Sequence, residues 1–378
     1  MTAEKKYFIE LLSSYVNRTA PEGQKADYGE LFRIAEIHDV GGIIANQLKQ
    51  IPSEFQPEGE FKSNFNQLLG YTVKNYAVRE MAYSSAKEFL NSAKCPHLFV
   101  KGVNVKEYYP DPELRTSGDI DVIVNTPLES INSFAENNSA TVKEYVSNTL
   151  TLVFNSVELE IHSEADVKSD YFNDIFSLAE KVGEYEYKLD EYNELLYVLC
   201  HLAKHLSYRG AGVRMLLDID LMIRGIKGFN EEKFLAMCES AGVKKTAQVL
   251  FSLLRLWFNT PVKSGDELDE ALLSKLEEVF IDGGSFGYET SSIPAKYLSG
   301  DASRLSVLLK IAFPDKEYLK LCYPYYNKKS LLYPVARVNR VFDGLFKKRK
   351  HAKRVISQIN SDSVSDSQLG LLKELEIN

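Results

Sequence analysis

Residues Leu98–Val124 read LFVKGVNVKEYYPDPELRTSGDIDVIV, and the rest of the chain falls into place around them. An apolar run ends at Lys101-Gly102, a tyrosine- and proline-rich segment leads to Arg115, and Gly118-Asp119-Ile120-Asp121 runs into Val122-Ile123-Val124. In an extended strand, residues i and i+2 point to one face. Asp119 and Asp121 therefore aim side by side, with Ile120 and Val122 turned the other way. Adjacent carboxylates repel, and each raises the other's pKa. A cation between them relieves that cost, and hard carboxylate oxygens suit Mg²⁺, which binds through one or two carboxylates plus substrate phosphates.

Around this stretch the pattern predicts mixed secondary structure. His97–Val100 is a short strand, Gly102 a tight turn, and Val103–Tyr109 a helix of one to two turns, stopped by Pro110 and Pro112. Asp119–Val124 is a strand, and Pro127 opens a helix to Asn138. Thr141–Ser147, Leu150–Phe154 and Val157–His162 are strands. In the last, Val157, Leu159 and Ile161 share one face, and Glu158, Glu160 and His162 the other. The fold class is α+β, a small mixed sheet flanked by N-terminal and C-terminal helical domains.

Before the sheet, Glu4–Lys94 reads as helices punctuated by Pro21, Gly23, Pro52 and Pro57, ending in a long helix over Glu60–Ala93. From Asp166 onward the chain reads as mostly helical, with helices at Asp190–Ser207, Arg214–Gly225, Asn230–Ala241, Lys244–Trp257, Glu267–Val279 and Ala302–Phe313. Asp282–Pro294 reads as a loop. The expected organisation is a helical module over 1–94, an α+β core over 95–189 and a helical domain over 190–378.

The 378 residues, 44% hydrophobic and 26% charged, have ordinary globular composition and suffice for two or three domains. No run of about 18 apolar residues predicts a membrane span, and the charged N-terminus does not read as a signal peptide. Cys95, Cys200, Cys238 and Cys322 lack metal spacing, which fits a reduced, cytoplasmic protein. A net charge of -8 argues against broad coating of nucleic acid. The basic run Lys347–Arg354 reads as a solvated helix face, with RNA or an anionic membrane as other partners.

The ordered set Lys101-Gly102, Arg115, Asp119-Ile120-Asp121, Glu158-Leu159-Glu160-Ile161-His162 and His201-Leu202-Ala203-Lys204-His205 resembles the polymerase-β-type nucleotidyltransferase superfamily. Within it, the set is most similar to uncharacterised bacterial nucleotidyltransferases with a Lys-Gly start and a downstream His-x-x-Lys-His segment. The resemblance spans roughly Ala93 to Gly225. It implies Mg²⁺- or Mn²⁺-dependent transfer of a nucleoside monophosphate from an NTP to an acceptor hydroxyl, with release of pyrophosphate. It also implies that Asp119, Asp121 and Glu160 hold metals and carry the chemistry, with Glu158 the substitute for Glu160. The acceptor stays open among a small molecule, RNA and a protein, as does the oligomeric state. The alternative is a non-catalytic relative that binds nucleotide or a partner through the same surface.

The nucleotide-binding residues expected from this reading are Lys101, Gly102, Asn104, Arg115, Lys204 and His205. Gly102 lets the backbone approach an anion, and the helix after it offers N–H groups to phosphate. The family often has a second small residue next; Val103 stands there, with Asn104 as the substitute polar group. Lys101 and Arg115 can neutralise a triphosphate, although Arg115 can equally pair with Asp111 or Glu113. His201 and His205, four apart, face one way on a helix, lining the cleft or packing as ordinary histidines. No Glu follows His201, so the zinc-protease pattern is absent, and a metallohydrolase on this pair lacks a third ligand. Arg214 and Asp218, also four apart, are expected to pair with each other, and Asp220 has no assigned task.

Overall fold

The computed structural model describes residues 1–284 except 147, 209 and 266, together with 371–377. The expected helix at Ala302–Phe313, most of the Asp282–Pro294 loop and the basic run Lys347–Arg354 lie outside the described residues.

Seven strands form one sheet in the order β3-β4-β5-β2-β1-β7-β6. They are β1 (His97–Val100), β2 (Asp119–Val124), β3 (Thr141–Val146), β4 (Thr149–Phe154), β5 (Val157–His162), β6 (Ala179–Lys181) and β7 (Glu186–Leu189). β2 lies antiparallel to β1 and parallel to β5, and β1 runs parallel to β7. The α+β class and the mixed sheet agree with the reading of the sequence.

The strand faces follow the period-two pattern. Ile120 and Val122 join Leu159 and Ile161 in one apolar cluster, together with Ala82, Ala86 and Leu90 of the long helix α4 (Gly59–Ser92). Ile123, on the face of the two aspartates, belongs to the opposite cluster with Leu98 and Val100. Each fully buried Ile or Leu contributes about 1.5–3 kcal/mol. A one-residue slip of β2 would turn both aspartates into the core, so this register is strongly specified.

On the second face of the sheet, α4 packs through small residues, which let its backbone come close. α6 (Leu128–Asn137) joins it there through Leu128, Ile131 and Ala135. The first face is covered by α1 (Ala3–Asn17), α2 (Tyr28–Ile37), α3 (Gly41–Leu48), α7 (Glu191–Tyr208), α8 (Val213–Gly225), α9 (Glu231–Ser240) and α10 (Lys244–Phe258). Phe8 and Leu11 of α1 share one continuous core with Leu250 and Leu254 of α10. Asp190 caps α7 as expected, its Oδ1 accepting from the Tyr192 and Asn193 N–H groups at 2.9 Å.

The chain after Asp166 is mostly helical, as expected, but a hairpin of β6 and β7 that the sequence reading did not include precedes α7. These strands are three and four residues long and carry Glu, Lys and Tyr, with little β signal of their own. Their order comes from the open edge of β1, where the His97 N–H donates to the Tyr185 carbonyl at 2.8 Å.

Candidate active site

The parallel pairing of β2 with β5 sets Asp121 opposite Glu160 and Asp119 opposite Glu158. His162 follows Glu160 on the same face. Its Nε2 lies 3.2 Å from Asp121 Oδ1 and 3.6 Å from Glu160 Oε2, while its Nδ1 lies 3.2 Å from the Thr149 hydroxyl. The tautomer with hydrogen on Nε2 donates to Asp121, whereas the other tautomer donates to Thr149 and leaves the Nε2 lone pair for a cation. One ligand atom each from Asp121, Glu160 and His162 lies within 4.8 Å of the others, a donor set that fits a divalent cation. His162 thus replaces Asp119 in the tightest cluster. Asp119 stands on the same face, exposed at the rim.

Lys101 shapes the centre. It sits at the turn from β1 to α5 (Gly102–Val105) with φ 60° and ψ -125°, a strained conformation for a residue with a side chain. Its ammonium donates to Asp121 Oδ1 at 2.8 Å and to Asp166 Oδ2 at 3.3 Å. Asp166 also accepts from Lys204 Nζ, and its backbone N–H donates to the Tyr197 hydroxyl at 3.2 Å. Asp166 lies in an irregular segment without periodicity, so no local pattern marks it in the sequence.

The electrostatics divide the carboxylates. Burial would raise the Asp121 carboxyl, but the Lys101 ammonium and the His162 hydrogen bond hold it well below the ordinary range. The crowding cavity walls push Asp119 up, and the Asp121 charge adds to this. Glu160 is raised by burial and then by Asp119 and Asp121. Asp119 and Glu160 are thus the two carboxylates that an incoming cation relieves most.

A cavity of about 520 Å³ opens on these groups. Lys101, Gly102, Arg115, Asp119, Asp121, Glu160, Lys204 and His205 all line it, from the strand ends on one side and α7 on the other. Glu158 does not; it is half-buried and paired with Lys143. Asn104 does not line it either: its amide donates to the Phe99 carbonyl at 2.9 Å. Val103 packs against the second core cluster, which accounts for an apolar residue after Gly102. A Cβ at Gly102 would lie 2.8 Å from Ser117 Oγ and 2.9 Å from Arg115 Nη1, so glycine here makes room for the cavity wall.

Arg115 is buried and committed elsewhere. Its Nε and Nη2 donate to Asp218 Oδ1 and Oδ2 at 2.9 and 2.8 Å, and Tyr109 donates its hydroxyl to Oδ1 at 2.7 Å. Neither Asp111 nor Glu113 is its partner. The expected Arg214–Asp218 pair gives way to this one, and Arg214 instead donates from Nη1 to the Thr116 carbonyl at 2.7 Å. Asp220 accepts from Arg224 Nε at 2.8 Å and from the Thr260 hydroxyl, away from the cavity. His201 and His205 approach Nε2 to Nε2 at 3.0 Å, and burial holds His201 neutral, well below its ordinary pKa.

Outside the cavity lining, Glu194 of α7 is buried, with Oε1 unpartnered. Burial raises its carboxyl to about 7, although Asn104 hydrogen-bonds to it and partly offsets the shift. A folded-state pKa above the unfolded one favours folding at low pH. The contribution is full below about pH 4.5 and is lost as pH rises through about 7. Glu194→Gln should therefore flatten the pH–stability curve. At pH 8 the variant should be the more stable by up to about 3 kcal/mol, with the difference fading towards pH 4.5. Urea unfolding across this range measures it.

No curated protein and no solved structure matches the chain in comparison searches. Among the described residues, no helix is long and apolar enough to cross a membrane. A family model described as "Uncharacterised nucleotidyltransferase" matches residues 24–259, which spans the sheet, the carboxylate cluster and the helices that close the cavity. On that match, the chain belongs to the uncharacterised nucleotidyltransferase family.

Proposed function

We propose that this protein moves a nucleoside monophosphate from an NTP to an acceptor hydroxyl, in a reaction that requires Mg²⁺ or Mn²⁺. One observation carries the reading: Asp121, Glu160 and His162 converge within 4.8 Å on a cavity that also presents Lys101 and Lys204. Asp119, Asp121 and Glu160 would hold the metal, with His162 beside them. When bound, the cation supplies charge for the α-phosphate and acidity for the acceptor hydroxyl. Glu160, with its raised pKa, takes the acceptor's proton at a carboxylate oxygen. The acceptor oxygen bonds to the α-phosphorus, the α–β anhydride bond breaks, and pyrophosphate leaves with the electron pair.

Lys101, Lys204 and His205 face the incoming triphosphate, and Gly102 keeps the wall thin beside it. The helical flanks would form the acceptor side, for a small molecule, an RNA end or a protein side chain. A second reading rests on Lys101, whose ammonium pairs with Asp121 at 2.8 Å and offsets its charge. On that reading the chain binds nucleotide without turnover.

The test is incubation with four α-labelled NTPs, Mg²⁺ and cell extract. The native chain should label an acceptor, and Asp119→Ala/Asp121→Ala should not. Label that persists in the double variant removes the assignment, and no label from the native chain favours the second reading.

A further inference from the structure

Three guanidinium groups gather about the 115–117 backbone, beside the cavity. Arg79 donates from Nη1 to the Ser117 carbonyl and from Nη2 to the Arg115 carbonyl at 3.4 Å. Arg115 belongs to the same segment, and Arg214 holds the Thr116 carbonyl between the two that Arg79 holds. They are close enough that Arg115 and Arg214 add to burial in pushing Arg79 down to about 10. Among the described residues, only one carboxylate is ion-paired with any of the three, and that is Asp218, held by Arg115. Asp119 also feels Arg214, but it belongs to the metal-holding set.

Buried or half-buried positive charge in excess of its carboxylates is costly unless an anion completes it. The three are not equally free to receive one. Arg115 has its fork filled by Asp218, and Arg79 does not line the cavity. Lys101 and Lys204 share Asp166. Arg214 lines the cavity, uses one donor on Thr116, and leaves Nε buried without a partner. A guanidinium carries five donors, so most of its hydrogen-bonding capacity is unused.

We infer that Arg214, not Arg115, is the guanidinium that receives the polyphosphate tail of the nucleotide, opposite the carboxylates that hold the metal. The inference rests on the nucleotidyl-transfer reading for the identity of the ligand, but its physical content is an oligophosphate site. Asp218 is then the residue that keeps Arg115 out of this role, and Arg79 fixes the 115–117 backbone on which Arg214 leans.

The experiment is calorimetric titration of the full chain with inorganic tripolyphosphate in the presence of EDTA. The native protein should bind it. Arg214→Gln should bind about ten- to a hundredfold more weakly, the range expected for lost charge-assisted hydrogen bonds. Arg214→Lys keeps the charge and loses the fork, and should fall between the two; it also serves if the glutamine variant does not fold. Native-like affinity in either folded variant, or no binding by the native chain, overturns the inference. Arg214-dependent binding without label transfer would leave this site standing and remove the proposed reaction. Transfer with unchanged binding in the variants would do the reverse.

Discussion

Asp218→Ala should cost the fold about 3–5 kcal/mol, the range for removing one partner of a buried ion pair. Arg115 and Asp218 are only 7% and 8% exposed at their side chains. The guanidinium meets the carboxylate through two parallel hydrogen bonds, the geometry in which Arg pairs are strongest. Removing the carboxylate leaves a charge that has lost its water and orphans the Tyr109 hydroxyl. Arg115→Ala should destabilise to a similar degree, since a buried carboxylate is then left with Tyr109 alone. The double variant should cost clearly less than the sum, because no uncompensated charge remains. Urea denaturation with a common m-value measures all three. Single variants that each lose under about 1 kcal/mol would show that this pair does not brace the cavity wall.

Glu160→Gln should lower label transfer by about 10³-fold or more, whereas Glu158→Gln should leave it nearly unchanged. A bound cation contributes several kcal/mol of charge stabilisation, and each 1.36 kcal/mol is tenfold in rate. Glu160 sits opposite Asp121, lines the cavity and belongs to the three-ligand cluster. Glu158 points to the same side of the sheet but is partly exposed, outside the cavity lining, and held by Lys143. Measured kcat/KM for the two variants separates them. Equal loss in both would remove Glu160 as the third carboxylate, and loss in Glu158→Gln alone would reverse the assignment.

The legibility of this site differed from residue to residue. The side-by-side aspartates and the Glu158, Glu160, His162 face followed from strand periodicity, and β2 and β5 begin and end at the expected residues. The boundaries of α4 and α7 also lie within a residue or two of expectation, because proline breaks and the Asp190 cap act locally. The role of Asp166 was not legible, since a coil residue acquires its neighbours only when α7 folds over the strand ends. Nor was the choice between Glu158 and Glu160, which share a face and differ only in what lies beside them.

The sequence by itself determined the α+β class, the strand faces and the two aspartates, because alternation, capping and turn chemistry act over a few residues. Only the tertiary structure decided which charges pair. Four-residue spacing on α8 brings Arg214 near Asp218, yet the carboxylate goes to Arg115, 103 residues away in sequence. Burial is the reason: a desolvated carboxylate is best satisfied by a bidentate guanidinium aligned with both oxygens, and that alignment exists only after the sheet and helices have packed.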